Sequence, residues 1–127
     1  MHDGVAELVE LVHSAGHTAP LMKLKIANEQ FIIPAFNGAV TGQNITINGT
    51  EAKPGNILML KNIPPTTKVY NIEINPGDGG KMIRTGGSSA TVLSKAEHNK
   101  VIVLMPNKKE LTISGDCRAT IGVIAGA

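Results

Sequence analysis

Apolar and polar residues alternate in short runs along most of this chain. Met22, Leu24 and Ile26 are separated by Lys23 and Lys25, the pattern of a strand with one face in a core and the other in water. Asn28-Glu29 marks a turn, and residues 30–33 return as its hairpin partner. Asn37-Gly38 is another turn signal. Ile45 and Ile47 predict a short strand that Asn48-Gly49 ends. Residues 57–60 are apolar, and Pro64-Pro65 stops that run. Residues 68–74 (KVYNIEI) alternate, with Val69, Asn71 and Glu73 on one side and Tyr70, Ile72 and Ile74 on the other. Three more strands follow at 89–95, 100–105 and 110–114, with turns at 96–99 and 106–109. Residues 116–120 read as a short turn or a single helical turn, and 121–125 as a last apolar piece.

The first run is ambiguous. In residues 5–13, Val5, Leu8, Val9 and Val12 fit a helical stripe, while Val9, Leu11 and His13 fit one face of a strand. The strand-and-turn grammar that follows favours a strand. Residues 14–20 read as a loop. Short strands at roughly ten-residue spacing predict an all-β fold of small barrels. Lys53-Pro54-Gly55-Asn56 is the best boundary within the chain, because proline and glycine together break regular structure. No internal repeat is visible.

Composition narrows the picture. The chain has 127 residues, of which 42% are hydrophobic and 2% aromatic (Phe31, Phe36 and Tyr70). The core must be aliphatic, and base stacking, which needs flat rings, is a poor candidate for recognition. Twelve basic and ten acidic residues give a formal charge of +2, which does not by itself mark a nucleic-acid binder. Seven of the acids precede Lys81 and both arginines follow it, so positive character shifts toward the C-terminal side. One cysteine, Cys117, excludes an internal disulfide and fits a reducing compartment. No apolar run approaches the ~20 residues of a membrane helix. The first residues lack the basic start of a signal peptide.

One stretch stands apart. Residues 75–87 read NPGDGGKMIRTGG, five glycines around Lys81 and Arg84, with strand-like runs on both sides. Glycine-rich turns expose main-chain N–H groups and let another backbone approach. With two cations beside them, they suit an extended anion such as a nucleic-acid backbone. The phrase GDGGK is not a nucleotide-binding P-loop: the spacing is wrong, Met82 stands where Ser or Thr is needed, and no helix pattern follows. His2, His13, His17 and His98 have no metal-ligand spacing with Cys117 or one another. No paired acids or nucleophile–base pair stands out, which argues against an enzyme.

Three long motifs, residues 53–64 (KPGNILMLKNIP), 69–87 (VYNIEINPGDGGKMIRTGG) and 115–127 (GDCRATIGVIAGA), together with GHTAP at 16–20, carry a resemblance. They resemble the universal family of large-subunit ribosomal protein two, in its archaeal or eukaryotic form. The resemblance implies an OB-fold barrel over residues 1–52 and an SH3-like barrel over 53–127. It also implies binding to large-subunit ribosomal RNA, with neighbouring ribosomal proteins as possible partners and the cytoplasmic ribosome as location. No cofactor, small-molecule substrate or membrane is implied. The sequence departs from the family pattern in the first loop. There Ser14-Ala15-Gly16-His17 stands where an arginine is usual, and Ser89 replaces a frequent aromatic. The family's basic N-terminal arm and long C-terminal extension have no counterpart, so the chain reads as an excised core or fragment.

By the same resemblance, Arg84 matches a position tied to rRNA binding, and its guanidinium can grip phosphate at two points. The alternative for Arg84 is a surface arginine in a local ion pair. Lys81 is a less directional second cation. Arg118 either touches RNA or ties the chain end to the loop through carbonyl hydrogen bonds. His17 and Thr18 would meet phosphate from the first loop, or form a solvated loop only. Lys53, Asn56, Lys61, Asn62 and Asn71 fall in the matching motifs, and the two residues Asn56 and Asn71 serve equally well as turn-stabilising side chains. Gly79, Gly80, Thr85, Gly86 and Gly87 would offer main chain to the RNA. A different class of reading is a self-associating β-barrel module without RNA affinity, pairing through an open strand edge.

Overall fold

The computed structural model describes residues 3–13 and 19–126. The described residues are all-β apart from one 3₁₀ turn. Strands run β1 (Gly4–Val12), β2 (Leu21–Ile26), β3 (Glu29–Pro34), β4 (Asn44–Ile47), β5 (Ile57–Met59), β6 (Lys68–Tyr70), β7 (Ala90–Ala96), β8 (Lys100–Leu104), β9 (Glu110–Ser114) and β10 (Arg118–Ile121). The 3₁₀ turn, Leu60–Asn62, follows β5. Hydrogen bonds link all ten strands in the order β3-β2-β1-β4-β5-β10-β6-β7-β8-β9. Every pairing is antiparallel except β4 with β5, which meet in parallel at Ile47 and Ile57.

The ambiguous first run is a strand, and its ambiguity has a cause. Register with β2 slips between Leu8 and Glu10, so Val9 is an extra residue in a bulge. Ala6 and Leu8 face the core in strand phase. After the bulge, Leu11 packs on that core instead of residue 10. Of the helix-like stripe Val5, Leu8, Val9 and Val12 only Leu8 is buried, and the bulge shifts the inward phase so that no single strand period fits the run.

Two apolar clusters fill the molecule. One gathers Leu8, Met22, Leu24, Ile33, Ile45 and Ile47 from β1 to β4. The other gathers Leu58, Val69, Val92, Val101, Val103 and Ala119 from β5 to β10. Alternation along two strands joins them. On β5, Ile57 enters the first cluster and Leu58 the second. On β6, Val69 enters the second, while Tyr70 enters the first and donates its hydroxyl to the Pro34 carbonyl at 2.7 Å. Burial raises the Tyr70 pKa, so this hydroxyl remains a donor.

Two elements differ from the sequence reading. The strand expected over 68–74 ends at Tyr70, because Asn71 adopts a left-handed backbone at φ 51°. The alternation is lost there: Val69 through Glu73 are all buried. Residues 118–121 form a strand, not a turn, because β10 sits between β5 and β6 and needs an extended backbone to pair with both. The expected hairpin turn also shifts by one residue, with Ala27 taking the positive φ of 54°.

Candidate functional site

The glycine-rich segment leaves β6 at Asn71 and rejoins the sheet at β7. Its first part is tied back on itself. Asn71 N donates to the Ile83 carbonyl at 2.9 Å, and Ile72 N donates to the Met82 carbonyl at 2.9 Å. Lys81 N donates to the Ile72 carbonyl at 2.9 Å. At its far end, Gly87 N donates to the Ile124 carbonyl at 3.1 Å, and Ile124 N returns a bond to the Ser88 carbonyl at 3.2 Å. Ile83 is held at φ 59°, a conformation that is an outlier for a β-branched residue. Its side chain packs against both clusters, which fixes the residue before Arg84.

Three side chains shape the tip from within. Asp78 accepts backbone N–H bonds from Ile74, Asn75 and Gly80, each at 3.0 Å. Desolvation alone would raise its pKa, but these donors and the Lys81 charge outweigh that and hold it below its ordinary value. Asn71 accepts from Arg84 Nη1 at 3.1 Å through Oδ1, and its Nδ2 reaches the Gly79 carbonyl at 3.4 Å. Arg84 Nη1 also reaches the Gly80 carbonyl at 3.3 Å. Glu73 is 3% exposed. Its Oε2 accepts from Gly79 N at 3.0 Å, and its Oε1 from Arg118 N at 2.7 Å. The main chains of Glu73 and Arg118 pair as well, at 3.0 Å.

Arg84, Asn71, Gly79 and Gly80 therefore form one hydrogen-bonded group. Arg84, Lys81, Thr85 and Gly87 are exposed, and Gly86 is half-buried. Arg118 joins this group through its backbone N–H, which Glu73 accepts. Its guanidinium, with the side chain only 18% exposed, pairs with Asp3 Oδ1 at 2.7 Å. Arg118, Glu73, Pro76, Gly77, Asp116 and Met59 line an open cleft of about 460 Å³.

The remaining candidates lie apart from the loop's hydrogen-bond network. Asn56 is 4% exposed; its Oδ1 accepts from Thr46 N at 2.9 Å and its Nδ2 donates to the Glu51 carbonyl at 3.1 Å. Both ends of that amide hold the segment between β4 and β5. Lys61 pairs with Asp116 at 2.9 Å. Hydrogen bonds from Lys61 and Asn99 hold the Asp116 carboxyl below its ordinary pKa. Asn62 and Lys53 are exposed. His17 and Thr18 lie outside the described residues.

Sequence reasoning missed Glu73 and Asp78. Glu73 sits in an apparently alternating run, where a charged residue reads as solvent-facing. The one signal was an acidic residue inside an apolar run that leads straight into glycines. Cys117 is buried, with Sγ 3.5 Å from the Ile74 carbonyl. Burial first, then Glu73, Asp78 and Asp116, raise its pKa, which keeps it a thiol. Among the described residues, no group of three or more His, Cys, Asp or Glu could hold a metal ion. None of the described helices is long and apolar enough to cross a membrane.

Fold and loop together define a small all-β protein that presents a glycine-rich, cationic loop braced from inside. The family model described as Ribosomal Proteins L2, C-terminal domain, matches residues 53–127, and the chain belongs to that ribosomal protein L2 family. Similarity to relatives extends across the first half too. The large ribosomal subunit protein uL2 of Hyperthermus butylicus is 47% identical over 123 residues, covering 94% of this chain and 51% of the relative. The uL2 of Ignicoccus hospitalis is 45% identical, covering 94% and 48%. That of Korarchaeum cryptofilum is 44% identical, covering 93% and 49%. These are archaeal species, in line with the form of the family that the motifs resemble. The chain spans about half the length of these relatives.

Proposed function

We propose that this chain is a structural, non-enzymatic RNA-binding core of the large ribosomal subunit, working in the cytoplasmic ribosome. It would bind large-subunit rRNA and lie beside other ribosomal proteins, supporting subunit assembly and the peptidyl transferase region. The single observation that carries this reading is the exposed loop of residues 75–87, with Arg84 oriented by Asn71 and Gly80. The relatives are named as a large ribosomal subunit protein, which points the same way. The division at residue 53 into an OB-fold barrel and an SH3-like barrel belongs to this proposal. The passage from one apolar cluster to the other at Ile57 and Leu58 favours it.

Recognition would rest on shape and backbone contact. Arg84 uses Nη1 inside the protein, and the rest of its fork is offered to phosphate. Lys81 adds a second charge, while Thr85, Gly86 and Gly87 let RNA reach the main chain. Gly80 is buried, and Gly79 and Gly80 are held by Glu73, Asn71, Asp78 and Arg84, so they shape the loop from inside instead. Lys53, Lys61 and Asn62 would supply peripheral contacts, as would His17 and Thr18 from the first loop. Asn56 and Asn71, both buried, would act from inside by holding turns. Arg118, paired with Asp3, would serve as a brace before it serves as a contact.

The test is binding of a transcribed large-subunit rRNA fragment at several salt concentrations. Arg84→Ala is expected to weaken affinity roughly tenfold and to make the dependence of log affinity on log salt shallower by about one. Unchanged affinity, or wild-type binding that is flat against salt, would sink the reading.

A further inference from the structure

Among the described residues Glu73 is the buried charged side chain, and the RNA-binding reading leaves it without a role. It is 3% exposed, yet its oxygens meet two backbone N–H groups from different parts of the fold. One is Gly79, at the tip of the glycine-rich loop. The other is Arg118, the first residue of β10. β10 is an interior strand of the sheet, paired with β5 on one side and β6 on the other. A carboxylate is suited to this task, because it has two acceptor oxygens and no donor. Next along the loop, Gly80 carries Arg84 Nη1 on its carbonyl. A side chain at Gly80 would collide with Asn71, since an added Cβ would lie 2.4 Å from Asn71 Oδ1. Glu73, Gly79, Gly80, Asn71 and Arg84 thus form one continuous chain of contacts, from a core strand to an exposed guanidinium.

We infer that Glu73 is a positioning residue for RNA recognition: its carboxylate clamps the glycine-rich loop to β10, so that Arg84 is already aimed before RNA arrives. This rests on the RNA-binding reading above. An exposed loop with many glycines has much backbone freedom to lose on binding. Fixing it beforehand removes that cost from the affinity. Glu73 itself touches no RNA in this scheme.

The sign of the mutational effect separates this role from a plain electrostatic one. Glu73→Gln removes a negative charge near a site for a polyanion. Coulomb's law alone then predicts tighter RNA binding. Positioning predicts weaker binding, because the glutamine amide sets its own N–H₂ against the N–H of Gly79 or of Arg118. In folded Glu73→Gln, affinity for the transcribed large-subunit rRNA fragment is expected to fall roughly tenfold, with the salt slope unchanged because no phosphate contact is lost. Combined with Arg84→Ala, the loss is expected to be little more than that of Arg84→Ala alone, since both act through one guanidinium. Equal or tighter binding by the folded variant, or fully additive losses, would overturn the inference.

Hydrogen exchange supplies a measurement that needs neither the variant nor RNA. In the free wild-type protein, the Gly79 amide is expected to exchange slowly, close to the rate of Arg118. Exchange at Gly79 as fast as in an unstructured peptide would overturn the clamp, even if Glu73→Gln fails to fold. A wild-type protein that ignores the RNA fragment would overturn the RNA reading instead, and exchange at Gly79 would then decide the clamp by itself.

Discussion

Gly80 and Gly77 both lie at positive φ, 102° and 88°, for different reasons. At Gly77 an added Cβ would meet nothing within 4 Å, so only the backbone conformation favours glycine. At Gly80 the same atom would strike the Asn71 amide at 2.4 to 2.5 Å. Gly77→Ala is expected to cost about 1–2 kcal/mol, the penalty for a left-handed residue with a Cβ. Gly80→Ala adds overpacking of about 1–3 kcal/mol and frees Arg84 from its partner. Urea denaturation of the two variants would compare them, and equal losses would refute the contact. The glycines of 75–87 were legible in the sequence as a set, along with the cations between them. Their separate reasons were not, because a clash with Asn71 depends on where β6 stops. Glu73 was illegible for the same cause: burial of its carboxyl follows from the backbone reversal at Asn71, which no pattern of apolar residues announces.

Strands serve as the couplings of this molecule. β5 and β6 each send neighbouring side chains into different apolar clusters. The two halves should therefore unfold together. Tyr70→Phe tests the join directly. It removes the hydroxyl that meets the Pro34 carbonyl at 2.7 Å and leaves a buried acceptor unpaired. The expected loss is about 1–3 kcal/mol, within a single denaturation transition. No loss of stability, or two separated transitions, would contradict the coupling. Most strands were readable from alternation, as β2 illustrates with Met22 and Leu24 inward. Two were not, for physical reasons. The Val9 bulge changes the inward phase of β1, so neither a helical nor a strand period fits it throughout. β10 holds buried Ala119, Thr120 and Ile121 in succession. Both of its faces are covered, which erases the alternation that marks a half-exposed strand.

The whole molecule carries a formal charge of only +2, so its response to pH is set by particular groups more than by net repulsion. Asp78 and Asp116 are held below their ordinary value of 3.8 by hydrogen bonds and nearby lysines. Unfolded chains then bind more protons than the folded protein below that value, and stability falls as pH drops through the folded pKa values. This acid limb should be shallow, because both carboxyls are open to water and solvent screens their interactions. At the other end, burial raises Cys117 above 9.0 and Tyr70 above 10.0. Their contribution is complete below those values. It is lost as pH rises beyond them, since the unfolded chain gives up these protons first. The melting temperature is therefore expected to be level from about pH 4 to pH 9 on this account and to fall on both sides. The alkaline fall should be the steeper, because Tyr70 is buried and Asp78 is not. Scanning calorimetry across that range would measure it. Tyr70→Phe should flatten the alkaline limb and Asp78→Asn the acid one. A wild-type melting temperature that stays constant above pH 9 would contradict the burial that joins the two clusters at Tyr70.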